Sequence, residues 1–159
     1  MFARYAEHVQ FLAVYIREAH PIDGWRMSSN DEFGIRISQP KTFAERTEVA
    51  SKCSDALRLS MPLLVDHIDD RVERAYSAFP DRLYVIAPDG RVVFKGGRGP
   101  FGYQPRLLEQ SLMMLLIDLA QNGQLAPSQE HPPEPALRTQ LPCQIGKNHY
   151  GPLVFSLRI

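Results

Sequence analysis

The segment RLYVIAPDGRVVFKG, residues 82–96, decides the fold of this chain. Two runs rich in β-branched and aromatic residues flank the dipeptide Asp89-Gly90, a combination that favours two antiparallel strands joined by a tight turn. A glycine-rich stretch, residues 96–103, comes next, and Pro105 then begins an apolar pattern of helical period. The segment therefore predicts a β-hairpin followed by a closing helix.

The chain before this hairpin predicts alternating strands and helices. FLAVYI, residues 11–16, and MPLLVDHI, residues 61–68, are apolar runs of strand length, as expected of buried strands. Thr42 and Glu45 have the spacing of a helix capping box, and a second, short helix is predicted over residues 69–79. The apolar face predicted for the capped helix comprises Phe43, Val49, Ala50, Cys53, Ala56 and Leu57.

This order of elements is typical of one fold class. A parallel pair of strands followed by an antiparallel hairpin and a closing helix is the thioredoxin-like arrangement, an α/β fold of three layers around a mixed central sheet. Such a fold begins with a strand and a helix that enclose its redox centre, whereas residues 1–10 offer only the end of that helix. We therefore predict a thioredoxin-like fold that lacks the first strand and the active-site segment.

The composition changes after the closing helix. Residues 121–142 are polar and rich in proline, as in linkers and tails. We predict a thioredoxin-like domain over residues 1–120 and a proline-rich C-terminal tail over residues 121–159. Near the end of that tail, residues 151–157 (GPLVFSL) either add an edge strand or fold against the domain, and both alternatives stay open.

Composition also excludes several classes of function. The 18 basic and 18 acidic residues give no net charge, so no nucleic-acid partner is expected. The apolar run near the N-terminus is too short to span a membrane and no signal peptide is visible, which indicates a cytoplasmic protein without a membrane partner. Cys53 and Cys143 are far apart and form no Cys-x-x-Cys pair, so no metal site is predicted.

Two blocks of this sequence resemble the iodothyronine deiodinase family, including its bacterial members. They are VYIREAHPIDGW, residues 14–25, and DRLYVIAPDGRVVFKGGRGPFGYQP, residues 81–105. The resemblance implies a thioredoxin-fold oxidoreductase that removes iodine reductively from an aromatic ring. It further implies a small-molecule substrate such as a halogenated aromatic, an external thiol reductant with no other cofactor, and pairing into a homodimer, with the oligomeric state left open.

The family's nucleophile is a selenocysteine or cysteine directly after the first strand, and no such segment is present. We expect an N-terminally truncated chain, as when a selenocysteine codon is read as a stop and the frame restarts at Met1. An in-frame strand with a cysteine or TGA codon is then expected upstream. The alternative functions are a non-catalytic domain that binds small molecules and a general thiol or peroxide oxidoreductase.

Glu18 and His20 are the candidate catalytic residues. They lie two positions apart, so on a strand they would share a face. By resemblance they handle protons and contact substrate, because the ring carbon needs a proton once iodine has left as a cationic equivalent. The alternative is that both are polar residues at a strand end, hydrogen-bonded to the loop backbone.

Arg98 and Trp25 are the candidate substrate-binding residues. By resemblance Arg98 holds a substrate carboxylate, which a guanidinium can grip through two hydrogen bonds. Trp25 could wall an aromatic site or simply anchor the Asp-Gly turn before it. Pro40 stands where the family has a second, histidine clamp residue, and Cys53 is predicted to be an inert thiol of the helix core.

Overall fold

The structure is a computed structural model that describes residues 1–125 except 33 and 35, together with the backbone of residues 153–158. Its helices are α1 (Phe2–Tyr5), α2 (Ser28–Glu32), α3 (Phe43–Leu57), α4 (Arg71–Tyr76) and α5 (Pro105–Gln121). Its strands are β1 (Gln10–Tyr15), β2 (Leu63–Val65), β3 (Arg82–Ile86), β4 (Val92–Lys95) and β5 (Leu153–Arg158). Cys143 and the tail segment over residues 126–152 lie outside the described residues, and the domain boundary at residue 120 stays a prediction.

The predicted hairpin is confirmed. β3 and β4 pair antiparallel, with Tyr84 opposite Lys95, and the turn between them needs a positive φ of 86° at Gly90. The Asp89 side chain closes the turn by accepting a hydrogen bond from the Arg91 N–H at 2.9 Å. Asp-Gly is therefore favoured here because the glycine adopts a left-handed conformation at no steric cost.

Helix α3 begins with the predicted capping box. The Thr42 hydroxyl accepts the Glu45 N–H at 3.2 Å, and the Glu45 carboxylate accepts the Thr42 N–H at 3.3 Å. The predicted apolar face is wrong at its first position, because Phe43 is 47% exposed and Arg46 is buried in its place. An arginine with compensating partners can occupy a core position that hydrophobicity alone would not assign to it.

The five strands form one mixed sheet in the order β2-β1-β5-β3-β4. β1 is parallel to β2 and antiparallel to β5, while β5 is parallel to β3. The edge position considered for the C-terminal strand is therefore wrong, since β5 lies in the centre of the sheet. The reason is a backbone requirement: β1 and β3 do not pair with each other, and β5 supplies the hydrogen-bonding partners that both inner edges need.

Helices cover both faces of this sheet. One face packs against α5 and α3 through clusters built around Phe11 and Leu112 and around Tyr15 and Ala50. The opposite face packs around α4 in a third cluster made by Val14, Ile16, Ala78 and Tyr84. The result is the predicted α/β, thioredoxin-like fold with three layers and a mixed central sheet.

A proline in β5 tests the central position of this strand. Ser156→Pro removes a backbone N–H from a strand paired on both sides, so it is expected to lower the free energy of unfolding by at least about 3 kcal/mol. Ser156→Ala keeps the N–H and is the matched control. Urea denaturation of both variants gives the comparison, and equal stabilities would show that β5 does not bridge the sheet.

Candidate active site

One edge of the sheet collects the loops that carry the predicted site residues. The register places Tyr15 at the end of β1 opposite Val65 of β2 and Leu153 of β5, and places Arg82 at the start of β3 opposite Val154. β4 runs antiparallel to β3, so it ends where β3 begins. The loops that follow β1, β2 and β4 and the loop that precedes β3 therefore meet at this edge.

Side-chain contacts join the same loops independently of β5. Arg17, just after β1, forms an ion pair with Glu73 of α4 at 2.8 Å. Its guanidinium also lies 4.4 Å from the centroid of the Phe79 ring, in the segment before β3. A guanidinium held between a carboxylate and an aromatic face is well fixed, which keeps the segment after β1 in one position.

Glu18 lies beyond the end of β1, which stops at Tyr15, so its predicted shared strand face with His20 is wrong. The Glu18 N–H donates to the side-chain oxygen of Gln39 at 3.1 Å. Its carboxyl oxygen Oε1 is enclosed and has no hydrogen-bond partner among the described residues. Burial of this group raises the pKa of Glu18 to about 7, although the positive charge of Arg46 opposes the rise.

Gln39 ties this part of the site to the long loop between β1 and α3. Its own N–H donates to the Asp23 carboxylate at 2.8 Å, and nearby the Ile22 N–H donates to the Ile37 carbonyl at 2.8 Å. The two sides of the loop are thus held together next to Glu18. The role of Gln39 was not predicted, because a single glutamine in an irregular segment carries no sequence pattern.

His20 and Trp25 contact each other. Their rings meet edge to face with centroids 4.8 Å apart, and Nδ1 of His20 lies 3.2 Å from the Trp25 carbonyl oxygen. Trp25 is 78% exposed, so its indole does not anchor the turn by burial. The pair forms an accessible aromatic surface at the site, while Glu18 makes its side-chain interactions towards α3.

Arg98 is displayed by a tightly folded glycine loop. The Arg98 carbonyl accepts the Gly102 N–H at 2.8 Å, and a Cβ added at Gly97 or Gly102 would crowd the facing part of the loop. The guanidinium of Arg98 is exposed and makes no hydrogen bond or ion pair with the residues the structure describes. The backbone is therefore fixed while the cation stays free for a ligand.

Asp81 belongs to the same edge and was not predicted. A side chain added at Gly99 would overlap the Asp81 carboxylate, so this acid packs directly beneath the loop that displays Arg98. Its Oδ1 is enclosed without a hydrogen-bond partner in the described part of the chain, and burial raises its pKa. The sequence feature that could have indicated this residue is an acid placed directly before a buried strand. In the structure this acid faces the glycine loop.

Cys53 behaves as predicted for an inert thiol. It is partly buried among Tyr15, Ala50 and their neighbours, and burial with the nearby Glu18 charge raises its pKa to about 11. A thiol with that pKa carries almost no thiolate at neutral pH. No group of three or more histidine, cysteine, aspartate or glutamate side chains among the described residues could hold a metal ion.

A cleft in the described part of the chain lies elsewhere. It has a volume of about 320 Å³ and runs between α3 and β2, with Thr47, Ser54 and Leu63 in its lining. None of the four predicted site residues lines this cleft. The candidate active site is therefore separate from this cleft.

The chain is thus an α/β protein of thioredoxin-like fold, with an acid, an imidazole and a free guanidinium in the loops at one edge of its sheet. The profile of the family described as Iodothyronine deiodinase matches residues 1–115, and the chain belongs to that family. The family resemblance seen in residues 14–25 and 81–105 is thereby confirmed.

No solved structure gives a significant match, and no described helix is long and apolar enough to cross a membrane.

Curated relatives agree with this assignment. The thyroxine 5-deiodinases of Sparus aurata and Gallus gallus are each 39% identical over 102 residues, which is 64% of this chain and 36% and 38% of those proteins. The type I iodothyronine deiodinase of Xenopus laevis is 32% identical over 95 residues, 60% of this chain and 35% of that protein. The chain thus spans about a third of the length of these relatives.

The raised pKa of Glu18 predicts a pH-dependent stability. Between the ordinary pKa of 4.5 and about 7, the folded protein keeps a proton that the unfolded chain has lost. The free energy of unfolding therefore falls as pH rises through this range. Glu18→Gln cannot ionise, so the two proteins should be similarly stable below pH 4.5, and the native protein less stable by about 3 kcal/mol above pH 7.

Urea denaturation at a series of pH values measures this difference. Glu48→Gln is the matched control, because Glu48 is an exposed acid on α3 paired with Lys52 at its own helix surface. A stability difference between native protein and Glu18→Gln that stays constant from about pH 4 to about pH 8 would contradict the buried carboxyl group.

Proposed function

We propose that this chain forms the substrate-binding and proton-delivering part of an enzyme that removes iodine reductively from iodinated aromatic compounds. The observation that carries the proposal is the common sheet edge, where Glu18, His20 and Arg98 follow strands β1 and β4. The named deiodinase relatives supply the reaction class. In this proposal Glu18 delivers the proton, the accessible pair of His20 and Trp25 contacts the ring, and the free cation of Arg98 binds a carboxylate.

The reaction needs a soft, anionic nucleophile. A thiolate or selenolate attacks iodine, forms a chalcogen–iodine bond and leaves the electron pair of the broken carbon–iodine bond on the ring carbon. Cys53 is a poor candidate, since its raised pKa keeps the thiol protonated at neutral pH. The proposal therefore assigns the nucleophile to a cysteine or selenocysteine other than Cys53, with an external thiol reducing the chalcogen–iodine bond and releasing iodide.

Glu18 is the proposed proton donor. A carboxyl group with a pKa of about 7 is about half protonated at neutral pH, so it can deliver a proton to the ring carbon and take up another. An ordinary glutamate would be almost fully ionised there. We assign to His20, held by its contact with Trp25, the contact with the substrate ring or its phenolic oxygen, and to the exposed indole a flat surface for an aromatic ligand.

A turnover assay tests the whole proposal. The 159-residue chain and a longer chain that includes its upstream codons are assayed for dithiol-dependent iodide release from iodothyronines and iodotyrosines. Activity that appears with the added segment and falls by a factor of about 100 or more in Glu18→Gln is expected. Tight ligand binding without iodide release by either chain would contradict catalysis and favour a non-catalytic binding domain. Reduction of peroxide without deiodination would favour the general oxidoreductase.

Arg98→Ala tests carboxylate recognition. The variant is expected to weaken binding of a carboxylate-bearing iodothyronine by about 1.5–3 kcal/mol, because it removes a charged hydrogen-bond donor. The decarboxylated amine with the same iodinated rings is the matched control ligand, and its affinity should not fall. Isothermal titration calorimetry of both ligands gives the comparison, and equal losses for the two would remove Arg98 from the site.

A further inference from the structure

Arg46 is a deeply buried charged side chain near the site. It is 1% exposed, and it reaches from α3 to the loop between β2 and α4. Its Nη1 pairs with the Asp70 carboxylate at 2.8 Å and donates to the carbonyl oxygens of His67 at 2.8 Å and Asp66 at 3.4 Å. A buried guanidinium is costly unless it is compensated, and here one loop provides the ion pair and both carbonyl acceptors of Nη1, while Nε is enclosed without a hydrogen-bond partner among the described residues.

That loop is connected in turn to the segment that carries Glu18. The buried Asp66 carboxylate accepts the N–H groups of Val72 at 3.0 Å and Glu73 at 2.9 Å, which caps the start of α4. Glu73 then pairs with Arg17 at 2.8 Å, directly before Glu18. Arg46 is thus the first contact in a continuous series that runs through the loop and α4 to the site.

We propose that Arg46 is a positioning residue of the candidate active site, which fixes the loop after β2 against α3 and sets the electrostatic surroundings of the Glu18 carboxyl group. This inference rests on the proposed function, in which Glu18 delivers the proton. In this inference Arg46 touches no substrate, yet it determines the fraction of Glu18 that is protonated at neutral pH.

The surroundings of Glu18 are simple enough to test. Arg46 and Cys53, both on α3, interact electrostatically with its carboxyl group. Arg46 lowers the pKa of Glu18 and so opposes burial. Without this charge, the neutral form of Glu18 would persist to higher pH. An arginine that only filled space would change stability and leave the titration of Glu18 where it is.

The test is a pH titration of the Glu18 carboxyl carbon by NMR in the full chain, with Glu18→Gln used to assign the signal. Arg46→Met removes the charge and keeps much of the side-chain volume, so the titration midpoint should rise by about one pH unit. Arg46→Lys keeps the charge, and its midpoint should stay close to that of the native protein. A folded Arg46→Met with an unchanged midpoint would overturn the proposal.

Two further variants decide the outcome if Arg46→Met does not fold. The double variant Arg46→Met/Asp70→Asn removes both charges of the ion pair, so no uncompensated charge is left, and a midpoint above that of Asp70→Asn alone is expected. Asp70→Asn alone keeps Arg46 and removes its competing anion, so the Glu18 midpoint should fall; an unchanged midpoint in this variant overturns the proposal. The readout does not depend on turnover, so a chain without deiodinase activity can still show these shifts, and the two failures are distinguishable.

Discussion

Strand β1 is the element on which both the fold and the site depend, because it is buried on both faces. Alternate residues point to opposite sides of a strand, and those of β1 and its end enter all three hydrophobic clusters. Its two edges pair with β2 and β5. No other strand in the described part of the chain takes part in all of these contacts, so the position where β1 ends is fixed by the whole core.

Two charged residues, Arg17 and Glu18, follow this strand while the chain is still close to the core. They differ in how well their side chains are compensated by partners. Arg17 is compensated by Glu73 and by the face of Phe79. Glu18 has no hydrogen-bonding partner among the described residues for its enclosed oxygen, so burial favours its protonated form. A buried carboxyl group that cannot ionise freely at neutral pH lowers the stability of the fold. An acid catalyst needs such a group, because it still carries a proton at neutral pH. The same desolvation therefore explains a structural weakness and the proposed chemistry.

The sequence was informative wherever local chemistry determines structure. The Asp89-Gly90 turn, the Thr42 capping box and the proline at the start of α5 depend on neighbours within a few residues, and all three are present. The central position of β5 could not be predicted, since the strand pairs with β1 and β3, which lie far away along the chain, and no local pattern encodes that choice. The register of the sheet then determined which loops share an edge.

The candidate site could be predicted in part for the same reason. Glu18, His20, Trp25 and Arg98 were found through two blocks of family resemblance, and the structure brings His20 and Trp25 into contact. Arg46 and Asp81 were overlooked because a charged residue is ordinarily expected at the surface. Only the three-dimensional arrangement shows that one is buried between a helix and a loop, and that the other packs beneath a glycine.

The central claim is that the end of β1 holds a desolvated carboxyl group that exchanges its proton near neutral pH. The most direct test follows the chemical shift of the Glu18 carboxyl carbon in the native chain from about pH 3 to about pH 9. The account predicts a single titration step with a midpoint of about 7. A midpoint near 4.5, the ordinary value for glutamate, would show that water reaches this group freely and would contradict the account.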